Sequence, residues 1–310
     1  MASAVGIDLG GTKIAGLRMN ERGEVLARDE APTPSESEAI LDEVVRLAGD
    51  LGEGRATALG IGAAGMVAFL DGALRFAPNL PLRDVPLRAL LEERSGLPCV
   101  VDNDSNAAGW AEYRFGAARG HEHVLMLTVG TGIGGAIIVG GSLYRGANGF
   151  AAEIGHVIVE PDGPECGCGN RGCWEQVASG KALDRLAIAE ARRDPDGAVA
   201  RKAAGAEVAG RHASEAAREG DDAARAVFEE VGKRLGEGIA GLVNILDPEL
   251  VVVGGGVAEE GDLLLEPARK AFREAVEAVE RRPEVPIVTA KLGNEAGAIG
   301  AAALALEVVS

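Results

Sequence analysis

Val124-Leu-Met-Leu-Thr-Val-Gly-Thr-Gly-Ile-Gly-Gly135, followed by Ala136-Ile-Ile-Val139 and Gly140-Gly141, decides between two kinds of α/β fold. Gly130, Gly132 and Gly135 satisfy the G-x-G-x-x-G spacing of a dinucleotide-binding turn. That turn must open a helix whose N-terminus faces the pyrophosphate. Here the glycines lead instead into a second apolar run, so the stretch reads as strand, glycine tip and returning strand. The N-terminus follows the same plan. Val5-Gly-Ile-Asp-Leu-Gly-Gly-Thr-Lys13 enters a glycine tip and Ile14-Ala-Gly-Leu-Arg-Met19 returns from it. A Walker loop is excluded, because it needs four residues between its first Gly and Gly-Lys and then a helix. Two such tips facing each other can clamp the phosphates of one nucleotide, since glycine lets backbone N–H groups approach phosphate oxygens.

Between and beyond these hairpins the pattern is α/β. Ile40, Leu41, Val44, Val45 and Leu47 have helical spacing within 35–51, with Ser35 and Ser37 as candidate caps. Residues 58–64 read as a buried strand ending at Gly65, followed by a loop through Pro78-Asn-Leu-Pro81 and a helix over 87–94. Residues 178–246 are mostly helical, with breaks at Asp194-Pro-Asp-Gly197 and Glu219-Gly220. Glu249-Leu-Val-Val-Val-Gly-Gly-Gly256 is a buried strand with a third glycine turn, able to receive an adenine or ribose at Gly254, Gly255 and Gly256. A helix over 263–279, a strand over 286–290 and a small-residue helix over 296–307 complete the chain. The expected organisation is an N-terminal lobe, 1–118, with 296–310 packing back on it, and a larger C-terminal lobe, 119–295.

Two clusters exceed what folding needs. Leu97-Pro-Cys-Val-Val-Asp-Asn-Asp-Ser-Asn106 is a strand that stops at a dense polar group before a helix over 107–114. Asn106 or Ser105 can cap that helix, but capping leaves Asp102, Asn103 and Asp104 unexplained, and strand carboxyl ends are where α/β proteins place ligands. The second cluster runs from Glu153-Ile-Gly-His156 to Cys166-Gly-Cys-Gly-Asn-Arg-Gly-Cys-Trp-Glu175. Cys166, Cys168, Cys173 and His156 form a ligand set suited to closed tetrahedral zinc. A disulfide is the competing reading, and a reducing compartment disfavours it. A metal there would stiffen a loop that carries Glu153 and Glu175.

At 310 residues the chain is long enough for two cores, and 47% hydrophobic content excludes disorder. The net charge of -17 disfavours nucleic acid and acidic membrane surfaces as partners. With no basic leader and no 18-residue apolar run, the expectation is a soluble cytoplasmic protein. The parts fit phosphoryl transfer: Asp8 and Lys13 beside Gly10, Gly11 and Thr12 would hold a magnesium ion and phosphates. Asp104 is the candidate base. Asn79, Asn103, Glu153, His156 and Glu175 are all hydrogen-bonding groups, so the acceptor should be rich in hydroxyls. His156 can place one ring nitrogen on zinc and the other on substrate.

These motifs, in this order, resemble the ROK family of sugar kinases and repressors, within the actin-like ATPase superfamily. The resemblance rests on Asp8-Leu-Gly-Gly-Thr-Lys13, Val101-Asp-Asn-Asp-Ser-Asn-Ala107, Thr128–Gly135, Glu153-Ile-Gly-His156, the cysteine cluster and Asn244–Gly256. Gly172-Cys-Trp-Glu-Gln-Val-Ala-Ser-Gly180 further resembles the glucokinase branch found in high-GC Gram-positive bacteria. It implies a two-lobed, actin-like (ribonuclease H-like) α/β fold and ATP-dependent phosphorylation of glucose or a related hexose, with magnesium and structural zinc. By the same resemblance Asp104 matches the base. Gly65, Asn79, Asn103, Asp104, Glu153, His156 and Glu175 match the sugar site, and Thr131 and Gly132 belong to a phosphate loop. Asp102 stands where many relatives have Glu, and Ala136 where many have Gly. A homo-oligomer, dimer or tetramer, is expected. A sugar-responsive repressor would need a helix-turn-helix ahead of the first hairpin, and only four residues precede Val5.

Overall fold

The computed structural model describes residues 2–309. Its first sheet has the order β3-β2-β1-β4-β8, from Val25–Pro32 (β3), Lys13–Asn20 (β2), Ser3–Leu9 (β1), Ala58–Ala63 (β4) and Cys99–Asn103 (β8). β1 is antiparallel to β2 and parallel to β4, and β4 is parallel to β8. Side chains alternate along a strand. Val5, Ile7 and Leu9 therefore enter one core with Ile40, Val44 and Leu47 of α1 (Ser37–Gly52) and Leu87 and Leu91 of α2 (Leu87–Ser95). Gly6 and Gly60 face the opposite way. A Cβ on either would run into the backbone of the C-terminal helix Ala296–Val308. That helix, Ala- and Gly-rich and buried all round, lies directly on the sheet beside α3 (Asp104–Phe115). Shape, not amphipathicity, explains its composition.

A small antiparallel sheet, β5-β6-β7 (Met66–Ala68, Ala73–Phe76, Arg83–Val85), occupies the stretch expected to be a loop. The second large sheet has the order β11-β10-β9-β12-β13: Ser142–Leu143, Ile133–Val139, Val124–Val129, Leu250–Gly254 and Ile287–Thr289. It repeats the order of the first sheet, as the two glycine-tipped hairpins implied. Helices α4 (Glu175–Ala178), α5 (Gly180–Arg193), α6 (Ala198–Ala203), α7 (Gly210–Arg218), α8 (Asp222–Leu246) and α9 (Asp262–Ala275) follow; the C-terminal helix is α10. Asp221 caps α8, its side chain accepting from the Ala224 N–H at 2.8 Å.

The chain divides into two compact units: Met1–Met126, Gly135–Ala152 and Ala290–Ser310 in one, Leu127–Gly134 and Glu153–Thr289 in the other. These bounds differ from the 1–118 and 119–295 expected. Residues 135–152 join the first unit because they pack on α3 and the β5 region: Gly109 meets Ala136, Gly141 meets Tyr113 and Gly149 meets Phe69. Two cap assignments also change. α1 has no side-chain cap, and the Ser37 hydroxyl instead donates to the Pro81 carbonyl at 2.6 Å. α3 begins at Asp104, with Asn103 as its cap in place of Ser105 or Asn106. No helix among the described residues is long and apolar enough to cross a membrane.

Candidate active site

In the first unit the strand register gathers the polar ends. Asp8 lies level with Gly62 of β4, and Gly62 with Asp102 of β8. Asn103 Oδ1 accepts from Ser105 N–H (2.9 Å) and Asn106 N–H (3.1 Å), and its Nδ2 donates to the Gly65 carbonyl (3.1 Å). This fixes Asp104 as the first helical residue. Its Oδ1 accepts from Ser105 N–H at 2.8 Å. Burial pushes the Asp104 carboxyl above the ordinary aspartate range, against the hydrogen bonds from Ser105 and Asn103. Asp8 is pushed up to about 7, first by burial and then by the negative charge of Asp104, with Lys13 pulling back. The Asp8 carboxyl, which burial and the charge of Asp104 keep from ionising, suits a divalent cation, which would favour its ionised form. A hard carboxylate oxygen fits magnesium.

The first glycine tip is braced at both ends. Gly10 N–H donates to the Lys13 carbonyl (3.1 Å), and the Thr33 hydroxyl to the Gly10 carbonyl (2.7 Å). Thr12 accepts through its carbonyl from Thr33 N–H at 3.0 Å. Gly11 abuts Asn79: a Cβ there would lie 2.6 Å from the Asn79 Cβ. Lys13 pairs with Glu30 at 2.9 Å on the surface, a contact weak enough to yield to a phosphate.

The second unit gathers the other residues. Thr131 and Gly132 form the β9–β10 tip, held by Gly180 N–H on the Gly130 carbonyl (2.8 Å) and the Ser179 hydroxyl on the Thr131 carbonyl (3.0 Å). Gly132 carries no side chain because the Glu175 carboxylate occupies that space. Beside the same strand, Gly255 has φ +87°, and a Cβ there would sit 2.6 Å from the Val129 carbonyl oxygen. Gly254 ends β12 and Gly256 opens the turn after it. Nearly buried, Glu175 accepts from Gln176 Nε2 at 2.9 Å, and Lys181 lies 3.6 Å away.

Ligand atoms of His156, Cys166, Cys168 and Cys173 all lie within 4.8 Å of one another, and none of the cysteines is in a disulfide. Cys166 Sγ is 3.6 Å from His156 Nδ1, and Cys168 Sγ is 3.6 Å from Cys173 Sγ. Tetrahedral zinc with Zn–S near 2.3 Å demands ligand separations of about 3.5–3.8 Å, which these two pairs meet, and three sulfurs with one imidazole are the donors zinc takes in closed sites. Burial and the neighbouring sulfurs push the Cys173 thiol up to about 12 without a cation. Zinc would reverse that by holding thiolates. Cys166 Sγ also lies 3.3 Å from Glu175 Oε1, so the metal cluster and the proposed sugar carboxylate touch directly. Trp174, fully buried, donates its Nε1–H to the Arg234 carbonyl (2.9 Å) and ties the knot to α8. Glu153 precedes the short turn 154–156 that carries His156.

Two buried acids have partners that the sequence did not show. Asp102 is ion-paired with Arg145 at 2.7 Å. Glu112, fully buried, accepts from the backbone N–H groups of Ala117, Lys291 and Leu292 at 2.6–2.8 Å, tying α3 to the segment before α10. Arg145, Lys291 and Leu292 lie far from these acids in sequence, and no local pattern announces the pairings.

A model of the ROK family matches residues 4–308. A glucokinase of Streptomyces coelicolor is 44% identical over 99% of this chain and 98% of that protein. The crystal structure of a ROK family glucokinase from Streptomyces griseus, in complex with glucose and AMPPNP, is 45% identical, with a TM-score of 0.88 over 99% of this chain and 100% of that one. A ROK hexokinase from Thermus thermophilus is 38% identical, with a TM-score of 0.81 over 99% of each chain.

Proposed function

Because the chain belongs to the ROK family, we propose that it is an ATP-dependent glucokinase, moving the γ-phosphoryl group of ATP to the 6-hydroxyl of glucose to leave glucose 6-phosphate and ADP. The observation that carries the mechanism is the Asp104 carboxyl. One of its oxygens is held by Ser105 N–H, and burial raises its affinity for a proton. That is what a base for a sugar alcohol needs: it takes the hydroxyl proton as the oxygen attacks phosphorus and the bond to the ADP oxygen breaks.

Asn103 is spoken for at Oδ1 by its cap, but Nδ2 has a second hydrogen to give a sugar hydroxyl. Gly65 and Asn79 supply further polar groups from the same unit. Glu153, Glu175 and the Nε2 of His156 hold the remaining hydroxyls, since Nδ1 faces the sulfurs. The tips at Asp8–Lys13 and Thr131–Gly132 hold the phosphates through backbone N–H groups, and Gly254–Gly256 receives the nucleoside end. Magnesium at Asp8, when bound, neutralises charge on the transferring phosphate oxygens. Zinc at His156, Cys166, Cys168 and Cys173 fixes the loop that aims Glu175 and His156. The enzyme works in the cytoplasm as a dimer or tetramer, which light scattering reads directly.

A coupled assay over glucose, mannose, fructose and N-acetylated amino sugars, with ATP and polyphosphate as donors, tests the assignment. The highest kcat/KM should belong to glucose with ATP. A tenfold or greater preference, of order 1.4 kcal/mol, for another sugar or for polyphosphate would overturn it.

A further inference from the structure

The Asp102–Arg145 pair takes no part in the mechanism above, yet it is built into the same strand end. Asp102 is 1% exposed and stands two residues before Asp104. Its Oδ1 accepts from Asn103 N–H (2.8 Å) and Asn106 Nδ2 (2.9 Å), and its Oδ2 from Arg145 Nε (2.7 Å). A charge buried this deeply persists only when paired. The pair is also connected to what aims the base. Asn103 caps α3 by accepting from Ser105 and Asn106, and Asn106 reaches back to Asp102. The turn from β8 into α3 is therefore a closed ring of hydrogen bonds through Asp102, Asn103 and Asn106.

Arg145 enters that ring from the segment after β11. Its guanidinium also stacks over Phe69, 3.9 Å from the ring centroid. Phe69 directly follows β5, and Gly65, just before β5, accepts the Asn103 side chain through its carbonyl. Arg145 thus holds two neighbouring parts of the frame: the carboxylate that closes the turn and the aromatic ring beside the Gly65 segment. Only a planar, forked cation can do both, which separates it from lysine.

We propose that Arg145 is a positioning residue for phosphoryl transfer, setting through Asp102 the direction in which Asp104 is presented. This rests on the reading of Asp104 as the base. The test measures kcat, KM for ATP, glucose Kd by calorimetry and Tm for Arg145→Met, Arg145→Lys and Asp102→Asn/Arg145→Met. A misaimed base costs on the order of 10²-fold in rate. Arg145→Met should lower kcat by about 10- to 100-fold, with glucose Kd and KM for ATP within about threefold of wild type. Arg145→Lys should recover only part of the loss. The double variant removes the stranded charge with its partner, so its Tm should return toward wild type while kcat stays low.

Wild-type kcat in Arg145→Met, a loss that falls on glucose Kd instead of kcat, or recovery of kcat together with Tm in the double variant would each overturn the proposal. Asp104→Asn, assayed alongside, separates the two failures. Normal turnover in that variant removes Asp104 as base, whereas an inactive Asp104→Asn beside a fully active Arg145→Met removes only the role of Arg145.

Discussion

Cys168→Ala is the perturbation that most sharply joins metal to sugar. Cys168 is exposed, so its loss opens no cavity in a core. It removes one of four ligands from a set whose atoms lie within 4.8 Å of one another. Structural zinc sites contribute roughly 10–16 kcal/mol, so an equal share per ligand is about 3 kcal/mol, or about a hundredfold in metal affinity. The effect reaches the sugar because Cys166 touches Glu175 at 3.3 Å and His156 Nδ1 at 3.6 Å. A hydrogen bond to a charged group contributes about 1.5–3 kcal/mol, so misaiming Glu175 and His156 should weaken glucose binding by about 3 kcal/mol, again near a hundredfold. The assay is zinc content after dialysis against a mild chelator, with glucose calorimetry on the same samples. Wild type should keep one ion per chain, and the variant should lose both metal and sugar affinity. Zinc loss with an unchanged glucose Kd would refute the coupling, and a wild-type chain that binds no zinc would refute the metal site itself.

Asp8 titrates near 7 in the folded chain against an ordinary 3.8. The folded state therefore binds more protons than the unfolded one between these values, and stability without nucleotide should fall as pH rises from about 4 to about 7. Asp8→Asn should flatten the Tm–pH curve across that window; an unchanged slope would contradict the assignment. Gly255→Ala places a side chain at φ +87° and 2.6 Å from the Val129 carbonyl. That positive-φ, extended-ψ backbone is essentially reserved for glycine, and the strain alone costs about 1–3 kcal/mol. Tm should drop and KM for ATP rise while glucose Kd holds; a wild-type KM for ATP would remove this turn from the nucleotide site.

The strands that the sequence revealed are apolar runs with marked ends: β1, β9 and β12 are buried along nearly their whole length and stop at glycine tips readable as turns, and β8 stops at a polar cluster. β3 was missed because it is an edge strand. Arg28, Asp29 and Glu30 in its middle are exposed, so no apolar alternation marks it. β5, β6 and β7 are three or four residues each, too short to show a period. The cysteine cluster was legible because its ligands lie close in sequence. Arg145 and Glu112 were not, because what they do depends on residues 43 and about 180 positions away. The cap of α3 was misplaced for a local reason: Asn103, Ser105 and Asn106 are all competent caps, and only the strand register shows where the helix begins.

Turnover of Asp104→Asn, with glucose affinity measured on the same preparation, bears on the central claim most directly. Asparagine keeps the size and can still accept from Ser105 N–H, but it cannot take a proton from the 6-hydroxyl. Loss of a general base predicts kcat lower by about 10²- to 10⁴-fold with glucose Kd within a few-fold of wild type. Near-wild-type kcat in a variant that binds glucose normally would contradict it.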